Sequence, residues 1–127
     1  MDEPSILLID DEEAFVTTLQ ERLEMRGFSA RAAFDGQSGL DMIGEEPPDV
    51  VVLDLRMPGI SGVEVLRRIR KQWPGLPVIM LSGHGSDMDF ETCVHLGAAM
   101  YHKKPLDINT LIESIRTVTQ GNQHPQR

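Results

Sequence analysis

Four short polar segments of the sequence carry side chains that could perform chemistry. Asp10 and Asp11 are adjacent acids, Asp54 stands alone, and Ser82 and Lys104 follow further along the chain. Each segment lies at the end of a short run of mostly apolar residues. Ligands of an open parallel sheet bind beyond the carboxyl ends of its strands, so these side chains would meet if the runs formed one such sheet.

The three acids would form a cluster with a charge of about −3, which raises the pKa of at least one carboxyl unless a cation compensates it. Mg²⁺ suits such a cluster, because it takes few protein oxygens, keeps several waters and usually shares its shell with a phosphate. An acid before a helix also serves as an N-cap, so Asp10 or Asp11 alone could have that structural role instead. Taken together, the three acids favour a magnesium site.

A hydroxyl and an ammonium group beside acidic residues fit a site that an anion visits. Lys104 could act as a point-charge partner of a phosphoryl oxygen, and Ser82 as a hydroxyl donor. Gly83 and Gly85 would let the backbone approach such a group closely. Since a carboxylate can be the nucleophile that forms an aspartyl-phosphate, the set supplies a nucleophile, a metal site and donors for phosphoryl transfer.

The apolar runs alternate with segments of helical period. Continuous apolar runs predict strands buried on both faces; they are Ser5–Asp10, Asp49–Leu55 and Pro77–Leu81, with weaker candidates at Phe28–Ala33 and Ala98–His102. Helical patterns lie between or after them, at Phe15/Leu19/Leu23, Gly36–Glu45, Val63/Leu66/Ile69/Trp73, Ser86–Leu96 and Ile108/Leu111/Ile112/Ile115/Val118. The alternation predicts a (βα)5 α/β fold, a doubly wound parallel five-stranded sheet with helices on both faces.

Two helix starts carry the pattern of a capping box, in which an N-cap hydroxyl and an acid three residues later bond to each other's backbone N–H groups. Ser61 with Glu64 has the preferred residues, and Ser86 with Asp89 is a weaker version. We expect the third and fourth helices to begin at these serines.

Length and composition narrow the class of protein. The 127 residues suit one domain, which we expect over residues 1–121, with 122–127 as a polar tail or the start of a linker. The net charge of −8 argues against direct nucleic-acid binding. No apolar run approaches the roughly 20 residues of a membrane span, and no signal peptide is evident. The single cysteine excludes a disulfide framework, and we expect a cytoplasmic protein.

Four stretches together resemble the receiver domain of bacterial two-component response regulators: ILLIDDE (6–12), VVLDLRMPGISG (51–62), VIMLSGHGS (78–86) and LGAAMYHKKP (96–105). The resemblance covers about residues 4–120, nearly the whole chain. It implies the flavodoxin-like strand order 2-1-3-4-5.

The resemblance also implies roles in phosphoryl chemistry. Asp54 matches the phosphoacceptor, and Asp10 and Asp11 match the acidic pair that binds Mg²⁺ together with Asp54. The backbone carbonyl of Arg56 would be a further metal ligand. Lys104 matches the lysine that contacts the phosphate.

Further residues match the family's switch. Ser82 corresponds to the switch hydroxyl and Tyr101 to the aromatic residue that changes rotamer. Arg56 and His84 stand at the two positions that border the path of the attacking water and tune phosphoryl lifetime. The peptide bond before Pro105 is one that receivers often hold in the cis form.

By this resemblance the chain is a switch rather than an enzyme, although it would assist its own phosphorylation and slow dephosphorylation. The phosphoryl group would come from a sensor histidine kinase or a histidine phosphotransfer protein. The output would go to a downstream effector protein or a fused output domain, without contact to a membrane. A homodimer through the fourth helix, fifth strand and fifth helix is one arrangement that the resemblance allows.

Three rival functions stay open at this point. A haloacid-dehalogenase-type phosphohydrolase carries a second acid two residues after its nucleophile, but that position here is Arg56, which cannot be a general acid–base at neutral pH. A flavodoxin-like cofactor binder needs a phosphate loop after the first strand, where Asp10, Asp11 and Glu12 would repel a phosphate unless a metal intervened. An interaction domain that is never phosphorylated is the third.

Overall fold

A computed structural model describes residues 3–83 and 85–123, the side chains of 121–123 excepted. Within this part of the chain, five strands alternate with five helices: β1 Ser5–Ile9, α1 Glu13–Glu24, β2 Ser29–Ala33, α2 Gly36–Glu45, β3 Val50–Leu53, α3 Gly62–Gln72, β4 Val78–Ser82, α4 Asp87–His95, β5 Met100–Lys103 and α5 Ile108–Gln123. The strands form one parallel sheet in the order β2-β1-β3-β4-β5. The predicted fold class and strand order are confirmed.

Two apolar cores lie on the two faces of the sheet. Alternate strand residues such as Ile9 and Leu53 pack with the buried side chains of α2, α3 and α4. Their neighbours, such as Leu8 and Val52, pack with α1 and α5. Both faces are therefore covered, which explains why the strand sequences are continuously apolar rather than alternating.

The register brings the carboxyl ends of the strands to one edge. Ile9 pairs with Leu53, and Leu53 pairs with Met80, so the residues that follow β1 and β3 start at the same level. The N–H of Asp54 donates to the carbonyl of Ile9 at 2.9 Å. At the other side of β4, the N–H of Lys104 donates to the carbonyl of Ser82, also at 2.9 Å.

The two predicted capping boxes differ. Ser86 and Asp89 form the complete box at α4, with the Ser86 hydroxyl and the Asp89 carboxylate each accepting from the other's backbone N–H. At α3 only the first half forms, in which Ser61 accepts from the N–H of Glu64 at 3.2 Å. The ranking of the two boxes was wrong, because the Glu64 carboxylate instead accepts from two arginines of its own helix, Arg67 and Arg68.

The C-terminal helix extends further than the apolar stripe predicted. α5 ends at Gln123, two residues beyond the expected end of the domain, and residues 124–127 lie outside the described part of the chain. The division at residue 121 stays a prediction. None of the helices in the described residues is long and apolar enough to span a bilayer. The cytoplasmic location also stays a prediction.

We expect opposite effects on stability from alanine at two glycines of α2. A Cβ at Gly39 would lie 2.8 Å from Cγ1 of the fully buried Ile9, so Gly39→Ala should cost about 1–3 kcal/mol by overpacking. Gly44 has nothing within 4 Å of such a Cβ, and Gly44→Ala should add about 0.5–1 kcal/mol of helix stability. Urea unfolding of both variants measures the difference. Equal effects would contradict the close approach of α2 to β1.

Candidate functional site

The candidate site lies where β1, β3, β4 and β5 end. Asp10 follows β1, Asp54 follows β3, Ser82 ends β4 and Lys104 follows β5. Asp10, Asp54 and Ser82 retain only 5%, 7% and 1% of their surface exposed, whereas Asp11 is partly exposed. Carboxylate oxygens of Asp10, Asp11 and Asp54 lie within 4.8 Å of one another. The structure thus brings Asp54 together with the adjacent acids Asp10 and Asp11, 43 residues earlier in the chain.

The acids are not helix caps. The N-cap of α1 is Glu12, and its side chain makes no capping hydrogen bond. Asp10 accepts the N–H of Glu12 through Oδ1 at 2.9 Å, before the helix begins. The structural alternative considered for Asp10 or Asp11 alone is therefore wrong.

The electrostatics of the cluster resemble those of a cation site. Burial and, next to it, the negative charge of Asp10 raise the pKa of Asp54 to about 6, against the opposing effect of Lys104. Burial also raises the pKa of Asp10, although its hydrogen bond to Lys104 lowers it. Two carboxyls whose ionised forms are disfavoured stand beside a third, Asp11, so these donors fit a hard divalent cation such as Mg²⁺.

Lys104 lies among the acids as predicted. Its Nζ is 2.8 Å from Oδ2 of Asp10, 2.6 Å from Oε1 of Glu12 and 4.0 Å from Oδ1 of Asp54. It also lies 4.3 Å from the centre of the Phe15 ring. The peptide bond that follows it, to Pro105, is cis, as the resemblance implied.

Glu12 and Phe15 were not identified from the sequence as partners of Lys104. Glu12 follows two aspartates, which is a detectable pattern, but its contact spans 92 residues of chain. Phe15 showed only the helical spacing of a core residue. Because these contacts join α1 to the residue after β5, tertiary structure alone reveals them.

Glycine lets the backbone approach the site closely, but at Gly62, a position that the sequence analysis did not single out. A Cβ at Gly83 would make only ordinary contacts with Lys104, at 3.8 Å or more. A Cβ at Gly62, by contrast, would collide with the backbone carbonyl of Asp54 and lie 2.7 Å from Cα of Leu55. Gly62 begins α3 and donates its N–H to the carbonyl of Leu55 at 2.8 Å. The one sequence signal for Gly62 is that it is the last residue of the receiver-like stretch 51–62.

One ion pair connects the loop after Asp54 to α4. The Nη2 of Arg56 lies 3.1 Å from Oδ2 of Asp89, which also accepts from the Ser86 N–H in the capping box. Arg56 is therefore tied to the start of α4. His84, the other residue predicted to influence phosphoryl lifetime, lies outside the described residues.

Tyr101 projects into the protein beneath the start of α4. Its phenol oxygen is buried, and its ring meets the edge of the Phe90 ring with the centres 5.4 Å apart. Ser82 is buried at the end of the neighbouring strand. The two residues predicted to form the switch thus lie on adjacent strands, β4 and β5.

Comparison with known proteins agrees with this architecture. The family profile of the response regulator receiver domain matches residues 6–116. Among curated proteins, the uncharacterized transcriptional regulatory protein YkoG of Bacillus subtilis is 39% identical over 122 residues, which is 96% of this chain and 54% of that protein. The transcriptional regulatory protein AfsQ1 of Streptomyces coelicolor is 40% identical over 94% of this chain and 53% of that protein. The chain spans about half the length of these curated relatives.

Solved structures show the same fold. A response regulator receiver domain protein from Methanospirillum hungatei superposes with a TM-score of 0.92 and 27% identity, over 95% of this chain and 97% of that one. A receiver domain protein from Clostridium thermocellum superposes with a TM-score of 0.90 and 32% identity, over 95% and 98%. With the family profile spanning most of its length, this chain belongs to the response regulator receiver domain family of two-component systems.

Proposed function

We propose that this chain is a phosphorylation-driven switch of a two-component phosphorelay, in which Asp54 accepts the phosphoryl group. The observation that carries the proposal is the convergence of Asp54 with Asp10, Asp11 and Lys104 at one edge of the sheet. The receiver family is a phosphoacceptor signalling family, so its output is a conformation rather than a released product.

The chemistry begins with the ionised carboxylate of Asp54. One of its oxygens attacks the phosphorus of a phosphohistidine on the donor protein; a P–O bond forms, the P–N bond breaks, and the imidazole leaves with the electron pair and takes up a proton. Lys104, whose Nζ lies 4.0 Å from the Asp54 carboxylate, is placed to contact a transferred oxygen. Ser82, buried at the end of β4, supplies a hydroxyl to another.

Asp10, Asp11, Asp54 and the backbone carbonyl of Arg56 would hold Mg²⁺. When bound, Mg²⁺ supplies positive charge that reduces the repulsion between the carboxylates and the incoming phosphoryl oxygens. Asp10 is the residue that the lysine and the metal would share, since Lys104 already donates to its Oδ2. Lys104 can then turn from Asp10 and Glu12 toward the phosphoryl group.

The alternative of a fast phosphohydrolase is disfavoured at Arg56. Its guanidinium is always charged and is bound to Asp89, so it cannot exchange protons with an attacking water. We propose that Arg56 and His84 instead influence how long the phosphoryl group survives.

Partner surfaces follow from the same proposal. A sensor histidine kinase or a histidine phosphotransfer protein would present the donor at the edge that carries Asp54. The output would be read on α4, β5 and α5, where α4 exposes 77% of Met88, 47% of Phe90 and 52% of Val94. A downstream protein, a fused output domain or a second copy of this chain would cover that surface.

Asp54→Asn should abolish phosphorylation, because the amide removes the nucleophilic oxygen. Wild-type protein incubated with acetyl phosphate and Mg²⁺ should gain one phosphate by intact mass spectrometry. Asp41→Asn, which changes an exposed acid on α2, is the matched control and should be labelled like the wild type. Undiminished labelling of Asp54→Asn would overturn the assignment.

Mg²⁺ should raise the melting temperature, with a stabilisation of about 2.7 kcal/mol at a hundredfold excess over its dissociation constant.

The raised pKa of Asp54 determines how this stabilisation by Mg²⁺ depends on pH. Ionisation of Asp54 costs the metal-free fold stability as the pH rises through about 6, and Mg²⁺ offsets that cost. Below this pH the metal must displace a proton, so its effect should decline. Asp11→Ala should weaken the effect and Asp41→Asn should not; thermal melts indifferent to Mg²⁺ would contradict the metal site.

Ser82→Ala should separate phosphorylation from the change of surface. Asp54 and its acidic neighbours remain, so the variant should still take up phosphate, but α4 and β5 should fail to respond. Amide NMR with beryllofluoride, an anion that stands in for the phosphoryl group, measures the response. Distal shifts equal to those of the wild type would show that the hydroxyl does not relay the change.

A further inference from the structure

Glu12 makes a contact that its position at the start of α1 does not explain. It is the N-cap residue of this helix, but its side chain makes no capping hydrogen bond. Its carboxylate instead accepts from Nζ of Lys104 at 2.6 Å, across 92 residues of chain. An N-cap side chain normally stabilises its own helix by accepting a backbone N–H. Here the carboxylate is bonded to the lysine of the phosphoryl site.

The two acids that hold Lys104 differ in burial. The side chain of Asp10 is 7% exposed and that of Glu12 is 61% exposed, while Lys104 itself is 12% exposed. Breaking a buried ion pair leaves an uncompensated charge, whereas an ion pair with an exposed partner is screened by water and breaks at little cost. Glu12 is therefore the partner that Lys104 releases more easily.

Lys104 is held short of the phosphoacceptor. Its Nζ lies 4.0 Å from Oδ1 of Asp54, beyond hydrogen-bond distance, but only 2.8 Å from Oδ2 of Asp10. The Phe15 ring lies against the same ammonium, with its centre 4.3 Å away. An ammonium has three protons to donate, and carboxylates already accept from this one at two oxygens. A phosphoryl oxygen on Asp54 has to compete with these carboxylates for the lysine.

We propose that Glu12 is a positioning residue that holds Lys104 in the unphosphorylated protein and competes with the phosphoryl group for it. Loading of Asp54 then includes the exchange of one ammonium contact, from the Glu12 carboxylate to a phosphoryl oxygen. Glu12 thereby lowers the rate of loading and takes the lysine back when the phosphoryl group leaves. The effect on loading rests on the proposed function, whereas the contact between Glu12 and Lys104 does not.

The contact itself is tested without phosphate. The chain has three lysines, Lys71, Lys103 and Lys104, so their side-chain ammonium resonances are few enough to assign in ¹⁵N-labelled protein. Hydrogen bonds to two carboxylates should slow the exchange of the Lys104 ammonium protons with water. Glu12→Ala should accelerate that exchange, and Glu13→Ala should leave it unchanged. Equal exchange rates in the wild type and Glu12→Ala would overturn the proposal.

The rate of loading is the second measurement. With acetyl phosphate and saturating Mg²⁺, Glu12→Ala should load Asp54 about two- to fivefold faster than Glu13→Ala, the factor that corresponds to one partly exposed ion pair. Glu13→Ala is the matched control, because it removes the same charge from the exposed first residue of α1. In a Lys104→Ala background the two variants should load at equal rates, because the competition for the ammonium is gone.

The same rates separate this inference from the proposed function. A wild type that takes up phosphate, with Glu12→Ala no faster than Glu13→Ala, would overturn the inference and leave the proposed function intact. A difference between the two variants that persists in the Lys104→Ala background would also overturn it, since Glu12 would then act directly through its charge on the donor. A wild type that takes up no phosphate would overturn both.

Discussion

Negative charge gathered at the carboxyl edge of the sheet is the constraint on which the rest of the structure depends. Asp10 and Asp54 are nearly buried, and burial raises the pKa of both carboxyls. Lys104 approaches from the end of β5 and compensates part of this charge. The remaining negative charge makes the stability of the protein sensitive to the binding of a cation at this edge and to modification of Asp54.

The apolar architecture holds that charge in place. Ile9 and Leu53, which precede Asp10 and Asp54, are fully buried and paired in register. The two faces of the sheet are covered by helices, so polar groups gather at its edge. Gly62 lets the start of α3 press against the carbonyl of Asp54. Rigid strands thus position the acids, while the connecting loops carry the groups that can move.

Two connections lead from the site toward α4 and β5. One is the ion pair of Arg56 with Asp89, which joins the loop after β3 to the first turn of α4. The other is the packing of Tyr101 beside Gly85. The first is partly exposed and therefore weak by itself, whereas the second is steric and changes abruptly with small movements. This difference makes the buried contact the stronger candidate for coupling the site to the surface.

Apolar runs, helical periods and the positions of Asp10, Asp54 and Lys104 were enough to predict the parallel α/β fold and an acidic site at its edge, because strand burial and strand ends leave local patterns. The strand order came from family resemblance, since periodicity is the same for every order. The partners of charged groups were decided by tertiary structure: Glu64 accepts hydrogen bonds from arginines of its own helix, and Lys104 donates to Glu12, 92 residues earlier in the chain. The contact of Lys104 joins residues far apart in sequence, and Glu64 had several nearby partners that its sequence did not rank. Pattern therefore determined which groups reach the edge, and only the packed fold decided what each of them touches.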